Sequence, residues 1–191
     1  MEKVWAKIYG SYHRIEAGTT GEAFPFLTGA PSGVLMHEIY DEKPEMLWKL
    51  LEKADSRGYI MTTAVSSQGS SADDNPNDMT KVGLVDAHAY SLIAAVEVNI
   101  SLLQKEKLLL IRNPWGFREW SGDWSDTSEK WKDYPDSIKN IEKAINSRQE
   151  KLKQGHEKYE FKRDKNDGCF WMCFSDYIRF FYITSVCYYE P

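Results

Sequence analysis

Two side chains in this sequence are of a type and spacing that could move a proton. His88 lies in "GLVDAHAYSLIAAVEV", residues 83–98, and Asn113 lies 25 positions later in "LLLIRNPWG", residues 108–116. Imidazole titrates near neutrality, so it can take a proton and return it within one reaction cycle. It does so only if a third group holds the ring. An asparagine carbonyl that accepts one ring N–H fixes the tautomer and turns the other nitrogen toward a nucleophile such as a thiol. Trp115 fits the same chemistry, because an indole lying over the histidine–asparagine hydrogen bond excludes water and so strengthens it. Pro114 stiffens the turn that carries both residues. Singly, His88 reads as a structural histidine and "NPWG" as a turn with an aromatic anchor; together, at facing ends of adjacent strands, they read as a site.

The elements around these residues must bring them together. "AYSLIAAVEV" and "KLLLIRN" are β-rich runs joined by "NISLLQKE", which predicts an antiparallel pair with His88 at the near end of one strand and Asn113 at the far end of the next. Upstream, residues 3–29 suggest short helices punctuated by Gly10, Gly18 and Gly29, with Thr19 or Thr20 as an N-cap, and "VLMHEIY" (34–40) reads as a strand. "PEMLWKLLEKADSRG" predicts a helix with Pro44 in its first turn, an apolar stripe of Met46, Leu47, Leu50, Leu51 and Ala54, and Gly58 as its stop. "YIMTTAV" (59–65) is a further strand. Residues 66–81 form a polar loop, of a length that is usually functional or mobile, with high mobility expected of residues 67–77. Ile138, Ile141 and Ile145 recur at helical spacing, and "CFWMCFSDYIRFFYITSVCYYE" closes the chain with at least two aromatic strands. Helices first and mostly antiparallel strands after give an α+β class, in one domain spanning residues 1–191.

Bulk properties narrow the function classes. A net charge of -5 argues against a nucleic-acid partner. No apolar run approaches the roughly 20 residues that cross a bilayer, and the N-terminus lacks the apolar core of a signal peptide, so a cytoplasmic location is expected. Cys169, Cys173 and Cys187 are odd in number and crowd the C-terminal quarter, which suits reduced buried thiols better than a disulfide framework. The spacing of Cys169 and Cys173 could be half a zinc site, but "CFWMCF" reads better as a core strand.

"GLVDAHAYSLIAAVEV" and "LLLIRNPWGFREWSGDWSD" resemble the histidine and asparagine motifs of the calpains, calcium-dependent intracellular cysteine proteases with a papain-like core. "WAKIYGSYHRIEAGTTGEAFPFLTG" resembles the segment leading into the second half of that core, and "DGCFWMCFSDYIRFF" its closing segment. Four segments in family order cover nearly the whole chain. The resemblance implies that the chain is the second subdomain of the core, an antiparallel, barrel-like sheet with flanking helices. His88 would be the base, Asn113 its orienter, and Trp115 a shield that can also wedge between the subdomains. The protein substrates would be cleaved through an acyl-enzyme.

One part of that apparatus is not in this sequence. In papain-like enzymes the histidine and asparagine follow the nucleophilic cysteine by roughly 130 to 150 residues. Only 87 residues precede His88 and none is a cysteine, so the nucleophile is expected upstream of Met1 and the chain alone is expected to be inactive. The partners implied are the missing cysteine-bearing subdomain and the other domains of the parent chain. The alternative is a calpain-like interaction module without catalysis. A transglutaminase-like acyl transferase is disfavoured by Asn113, since an aspartate normally stands third there.

The resemblance also implies calcium. Glu119, Asp126, Asp167 and the Lys165 carbonyl take the family's ligand positions, but Cys169 stands where a second acidic residue is usual. A thiol is a poor ligand for a hard cation, so the site is expected to be weakened. Asp73, Asp74 and Asp78 of the 66–81 loop do not have EF-hand spacing; the resemblance makes that loop a cleft-side gate. Residues 139–165 hold nine Lys and Arg against five acids, which reads as a solvated face.

Overall fold

The aromatic run that ends the chain folds as strand, helix, strand, and it ties the molecule together. In the computed structural model, which describes residues 1–66, 79, 81–151, 161, 163–164 and 167–190, the elements are α1 (Glu2–Tyr9), α2 (Thr20–Thr28), β1 (Ser32–Met36), α3 (Pro44–Ser56), β2 (Ile60–Val65), β3 (Ala89–Asn99), β4 (Lys105–Arg112), α4 (Lys130–Asp133), α5 (Asp136–Lys151), β5 (Cys169–Cys173), α6 (Phe174–Phe180) and β6 (Phe181–Cys187). The strands form one sheet in the order β1-β6-β2-β3-β4-β5, antiparallel at every pairing, with β1 and β5 at its edges. The class is α+β, as the order of elements predicts.

The sheet is buried on both faces because its strands alternate between two cores. Phe170 and Met172 of β5, Leu109 and Ile111 of β4, and Tyr90 and Leu92 of β3 face Leu47, Trp48 and Leu51 of α3 and Tyr177 of α6. Trp171 of β5, Leu108 and Leu110 of β4, and Val96 and Val98 of β3 face Ile141 and Ile145 of α5 together with Trp124 and Trp131. A β-bulge in β3, where the register with β4 shifts between Leu92 and Ala94, sends both Ile93 and Ala94 to the second core and exchanges the parity of the strand. On the His88 side of the bulge, Tyr90 and Leu92 both face the first core.

Three expectations change in detail. The 34–40 run is a strand only to Met36; His37–Tyr40 turns as a 3-10 helix, because His37 buries its ring under β6 instead of alternating with its neighbours. On α3, Met46 is 54% exposed and Trp48 is buried in its place, since Leu47, Trp48, Leu51 and Ala54 share the inward face of a 3.6-residue turn and Met46 falls outside it. The closing run contains a two-turn helix, α6, between its two strands. Of the 66–81 loop, only Ser66, Met79 and Lys81 are among the described residues, so the expected mobility of 67–77 lies outside them. Among the described residues no helix is long and apolar enough to cross a membrane.

Candidate active site

β3 and β4 pair from Ser91↔Arg112 to Asn99↔Lys105, which puts the residues just before β3 and just after β4 at the same end of the sheet. His88 and Asn113 meet there, with His88 Nε2 at 3.0 Å from Asn113 Oδ1. Two neighbouring contacts decide which way the amide points. Asn113 Nδ2 donates to the Phe117 carbonyl at 2.8 Å and to the Arg118 carbonyl at 3.1 Å, so the amino end is taken up by acceptors. The Trp115 amide N–H donates to Asn113 Oδ1 at 3.1 Å, as only an oxygen permits. Oδ1 therefore faces His88 and Nε2 must carry a hydrogen, so that in the neutral ring the lone pair belongs to Nδ1.

The surroundings hold this arrangement in place. Asn113 is fully buried. Its N–H donates to the Gly168 carbonyl at 2.8 Å, and its own carbonyl accepts from Gly116 N–H at 3.0 Å. The His88 carbonyl accepts from Val65 N–H at 3.0 Å, fastening the histidine to β2. Tyr90 packs edge-on against the imidazole with ring centroids 4.9 Å apart, and its hydroxyl accepts from the Val85 N–H at 2.8 Å. The Trp115 indole has its ring centroid 4.3 Å from that of the imidazole, tilted by 43°, and Phe117 stacks on the indole at 5.9 Å. Trp115 lies against the imidazole while remaining 50% exposed itself. Ala87 and Arg118, either side of the site, both take positive φ, 48° and 60°, a conformation that non-glycine residues hold only where their surroundings impose it.

Gly168, directly beneath Asn113, has no room for a side chain. Its φ is 83°, and a Cβ would stand 2.5 Å from the Asn113 carbonyl oxygen and 2.9 Å from Gly116 Cα. Gly168→Ala is expected to destabilise the chain by about 1–3 kcal/mol, because both the conformation and the space are wrong for a side chain. Urea denaturation of the variant beside the parent measures this, and an unchanged midpoint would show that the turn has room to move.

None of the three cysteines supplies a ready nucleophile. Burial, then the negative charge of Asp167, pushes the Cys169 thiol up to about 12. Burial pushes that of Cys173 up to about 11, and this thiol donates to Asp176 Oδ2 at 3.1 Å. Cys187 is fully buried with its sulfur 3.4 Å from Thr28 Oγ1.

The acidic residues gather beside the Gly168 turn but are partly engaged. Glu119 Oε1 accepts from Gly168 N–H at 2.8 Å, and Asp167 Oδ1 from Cys169 N–H at 2.7 Å. Both carboxylate oxygens of Asp126 are buried, with no hydrogen-bond partner among the described residues. Its pKa is pushed up to about 6, first by burial and then by the charges of Glu119 and Asp167. Lys165 lies outside the described residues. Among the described residues no three His, Cys, Asp or Glu side chains stand close enough to hold a metal ion.

Sequence reasoning missed two parts of this site that depend on distant chain, Gly168 beneath Asn113 and the hold of β2 on His88, and one nearby part, Tyr90 against the imidazole. Only Tyr90 left a local signal, as an aromatic two residues beyond His88 with the same strand parity.

Comparison with known proteins agrees with the geometry. The family model for calpain family cysteine proteases matches residues 1–188. Over the full length of this chain, rat (Rattus norvegicus) Calpain-9 is 32% identical and chicken (Gallus gallus) Calpain-2 catalytic subunit 31%, with 24% of each relative covered. Calpain-B of Drosophila melanogaster is 34% identical, with 18% of its length covered. The chain thus spans about a quarter of the length of the curated relatives it matches, and other domains accompany the matching segment in them. By the family match across almost all of its residues, the chain belongs to the calpain family of cysteine proteases.

Proposed function

We propose that this chain is the histidine-bearing half of a calpain-type protease core, and that it works as general base and acid for a thiol carried elsewhere in the parent polypeptide. The observation that carries the reading is the 3.0 Å contact between His88 Nε2 and Asn113 Oδ1, in an amide orientation that leaves Nδ1 as the free base. In the reaction, Nδ1 takes the proton of the incoming thiol as its sulfur attacks the peptide carbonyl. The same proton then passes to the departing amine, leaving an acyl-enzyme, and Nδ1 next deprotonates the water that releases the acid. Asn113 holds the ring through both transfers, and Trp115 keeps water from one side of the hydrogen bond. The substrates proposed are peptide bonds of proteins.

Two measurements test this. Long-range proton–nitrogen NMR of the neutral ring is expected to find His88 as the Nε2–H tautomer, and a dominant Nδ1–H tautomer would overturn the assignment of the base. The purified chain, with its three thiols raised or buried, is expected to release no peptides from casein; turnover that survives contamination controls would overturn the need for an outside thiol.

We further propose that calcium is the ion for the acidic cluster. The unpartnered, buried oxygens of Asp126 are hard donors of the kind calcium takes, and Glu119, Asp167 and the Lys165 carbonyl would complete the set. Bound there, calcium would offset the negative charges that Glu119 and Asp167 set against Asp126. Cys169 contributes a protonated thiol and no charge, so the affinity is expected to be low. Because the folded pKa of Asp126 is raised to about 6 from 3.8, its contribution to stability is present below 3.8 and lost as the pH rises through 6. Without metal at pH 7.5, Asp126→Asn is therefore expected to raise the melting temperature, and the gain should vanish by pH 4. Millimolar calcium should raise the melting temperature of the parent but not of that variant; no heat in calorimetry at millimolar calcium would remove the ion from the proposal.

A further inference from the structure

His37 is buried on the far side of β2 from the candidate site, and both of its ring nitrogens are in contact with the sheet. Nδ1 lies 2.7 Å from the Phe181 carbonyl oxygen and Nε2 lies 2.8 Å from Thr184 Oγ1. The line continues from Thr184 Oγ1 to the Tyr177 hydroxyl at 2.6 Å, from there to Thr63 Oγ1 at 2.9 Å, and ends with Thr63 Oγ1 at 2.8 Å from the Ile183 carbonyl oxygen. Thr63, Tyr177 and Thr184 are all at most 1% exposed.

The line has five contacts and a carbonyl at each end. Carbonyls only accept, so each contact needs a hydrogen from the imidazole or a hydroxyl. Thr63 must donate to the Ile183 carbonyl, so Tyr177 must donate to Thr63 and Thr184 to Tyr177. Thr184 then has no hydrogen left for the imidazole, and Nε2 must donate. Nδ1 must donate as well, to the Phe181 carbonyl. A neutral imidazole carries one N–H and the three hydroxyls one O–H each, which fills four of the five contacts. Only the imidazolium fills all five.

We propose that His37, Thr184, Tyr177 and Thr63 form a buried proton-binding site, in which the neutral state leaves one contact without a hydrogen and a proton entering at the imidazole completes the line with the fold closed. The site is independent of the protease reading.

Burial works against the charge. It pushes His37 down to about 4 from 6.5, against the pull of the Phe181 carbonyl and of Asp41 in the same turn. The other neighbours add little charge. β1, β2 and β6 carry no charged side chain. On α6, the Tyr177 phenol is pushed up to about 12 by burial, Asp176 takes the Cys173 thiol, and Arg179 stands over the Phe180 ring. On α3, Glu45 pairs with Lys107 and Asp55 with Arg148. A folded value below 6.5 means that stability is full above 6.5 and lost as the pH falls toward the folded value. The unfilled contact of the neutral state opposes that loss, because an unsatisfied buried polar group is itself unfavourable.

Deleting a hydroxyl tests the count. Thr63→Val removes two contacts and one hydrogen, leaving three contacts and three hydrogens around a neutral His37. Tyr177→Phe gives the same balance by a different route. Each is expected to lower the proton affinity of His37 about tenfold, one pKa unit. Thr63→Ser keeps the hydroxyl and should restore the parental value. The readout is the ring nitrogen shift of His37 against pH in the full 191-residue chain, assigned by the signal lost in His37→Gln. A His37 value in Thr63→Val or Tyr177→Phe equal to or above the parent's would overturn the proposal, either variant sufficing if the other does not fold. The parent alone gives an independent check. Its His37 is expected to titrate with the backbone amide spectrum still dispersed, and titration only on global unfolding would sink the idea.

Discussion

His88→Ala, made in the intact polypeptide that carries the thiol, is expected to reduce kcat/KM for peptide cleavage about 10,000-fold or more, with the loss in kcat. The size follows from the number of steps that the proposed mechanism routes through Nδ1: activation of the thiol, protonation of the leaving amine and activation of water. Removing the ring removes all three at once, while the surfaces that bind substrate stay in place. Asn113→Ala is expected to cost less, about 100-fold, because the base is still present but free to turn. Asn113→Asp separates orientation from acceptance. It keeps an oxygen for His88 Nε2 but sets its second oxygen against the Phe117 and Arg118 carbonyls, at the 2.8 and 3.1 Å now spanned by N–H donors. That variant should therefore lose stability as well as rate. Steady-state kinetics beside thermal melting distinguishes the cases, and His88→Ala retaining activity within tenfold of the parent would place the base elsewhere.

How much of this was legible in the sequence depended on distance along the chain. The β3–β4 pair could be read because each strand is a continuous apolar run and the turn between them is short, and the meeting of His88 with Asn113 follows from that pairing. The orientation of the Asn113 amide could not be read, since it depends on where the carbonyls of Phe117 and Arg118 point after a turn with Arg118 in the left-handed region. The support beneath Asn113 comes from Gly168, far along the chain, and a glycine between Asp167 and Cys169 carries no mark of its partner. His37 is the clearest case of tertiary override. Within "VLMHEIY" its neighbours favour a strand, yet burial of one imidazole against Phe181 and Thr184 ends β1 at Met36 and bends the chain into a 3-10 turn. Alternation in "CFWMCF" was readable as a core strand because the two faces of β5 meet two different cores.

Arg148→Met is expected to be the most destabilising of the substitutions away from the site, by about 2 kcal/mol at pH 7.5, because it strands a buried carboxylate that then stays folded only by holding a proton. Asp55, near the C-terminus of α3, is 3% exposed, and Arg148 of α5 reaches it with Nε 2.7 Å from Oδ1 while Nη2 donates to the Ile93 carbonyl at 3.3 Å, at the β3 bulge. The guanidinium therefore joins one helix from each face of the sheet through the point where β3 is irregular. Even with this partner, burial holds the Asp55 pKa up to about 6 from 3.8, the attraction of Arg148 only partly offsetting it. A raised carboxyl value means that its contribution is present below 3.8 and lost as the pH rises through the folded value. In Arg148→Met the folded value rises further, so the deficit against the parent should be small near pH 4, grow through pH 6 and level off only above the new folded value. Replacing both partners, Asp55→Leu with Arg148→Met, leaves no stranded charge and should recover most of the loss. Urea unfolding of the three variants between pH 4 and 8 measures this. A single-variant deficit that is constant across that range would mean that Arg148 acts through packing and its bond to Ile93, and that the Asp55 carboxylate finds water when its partner is removed.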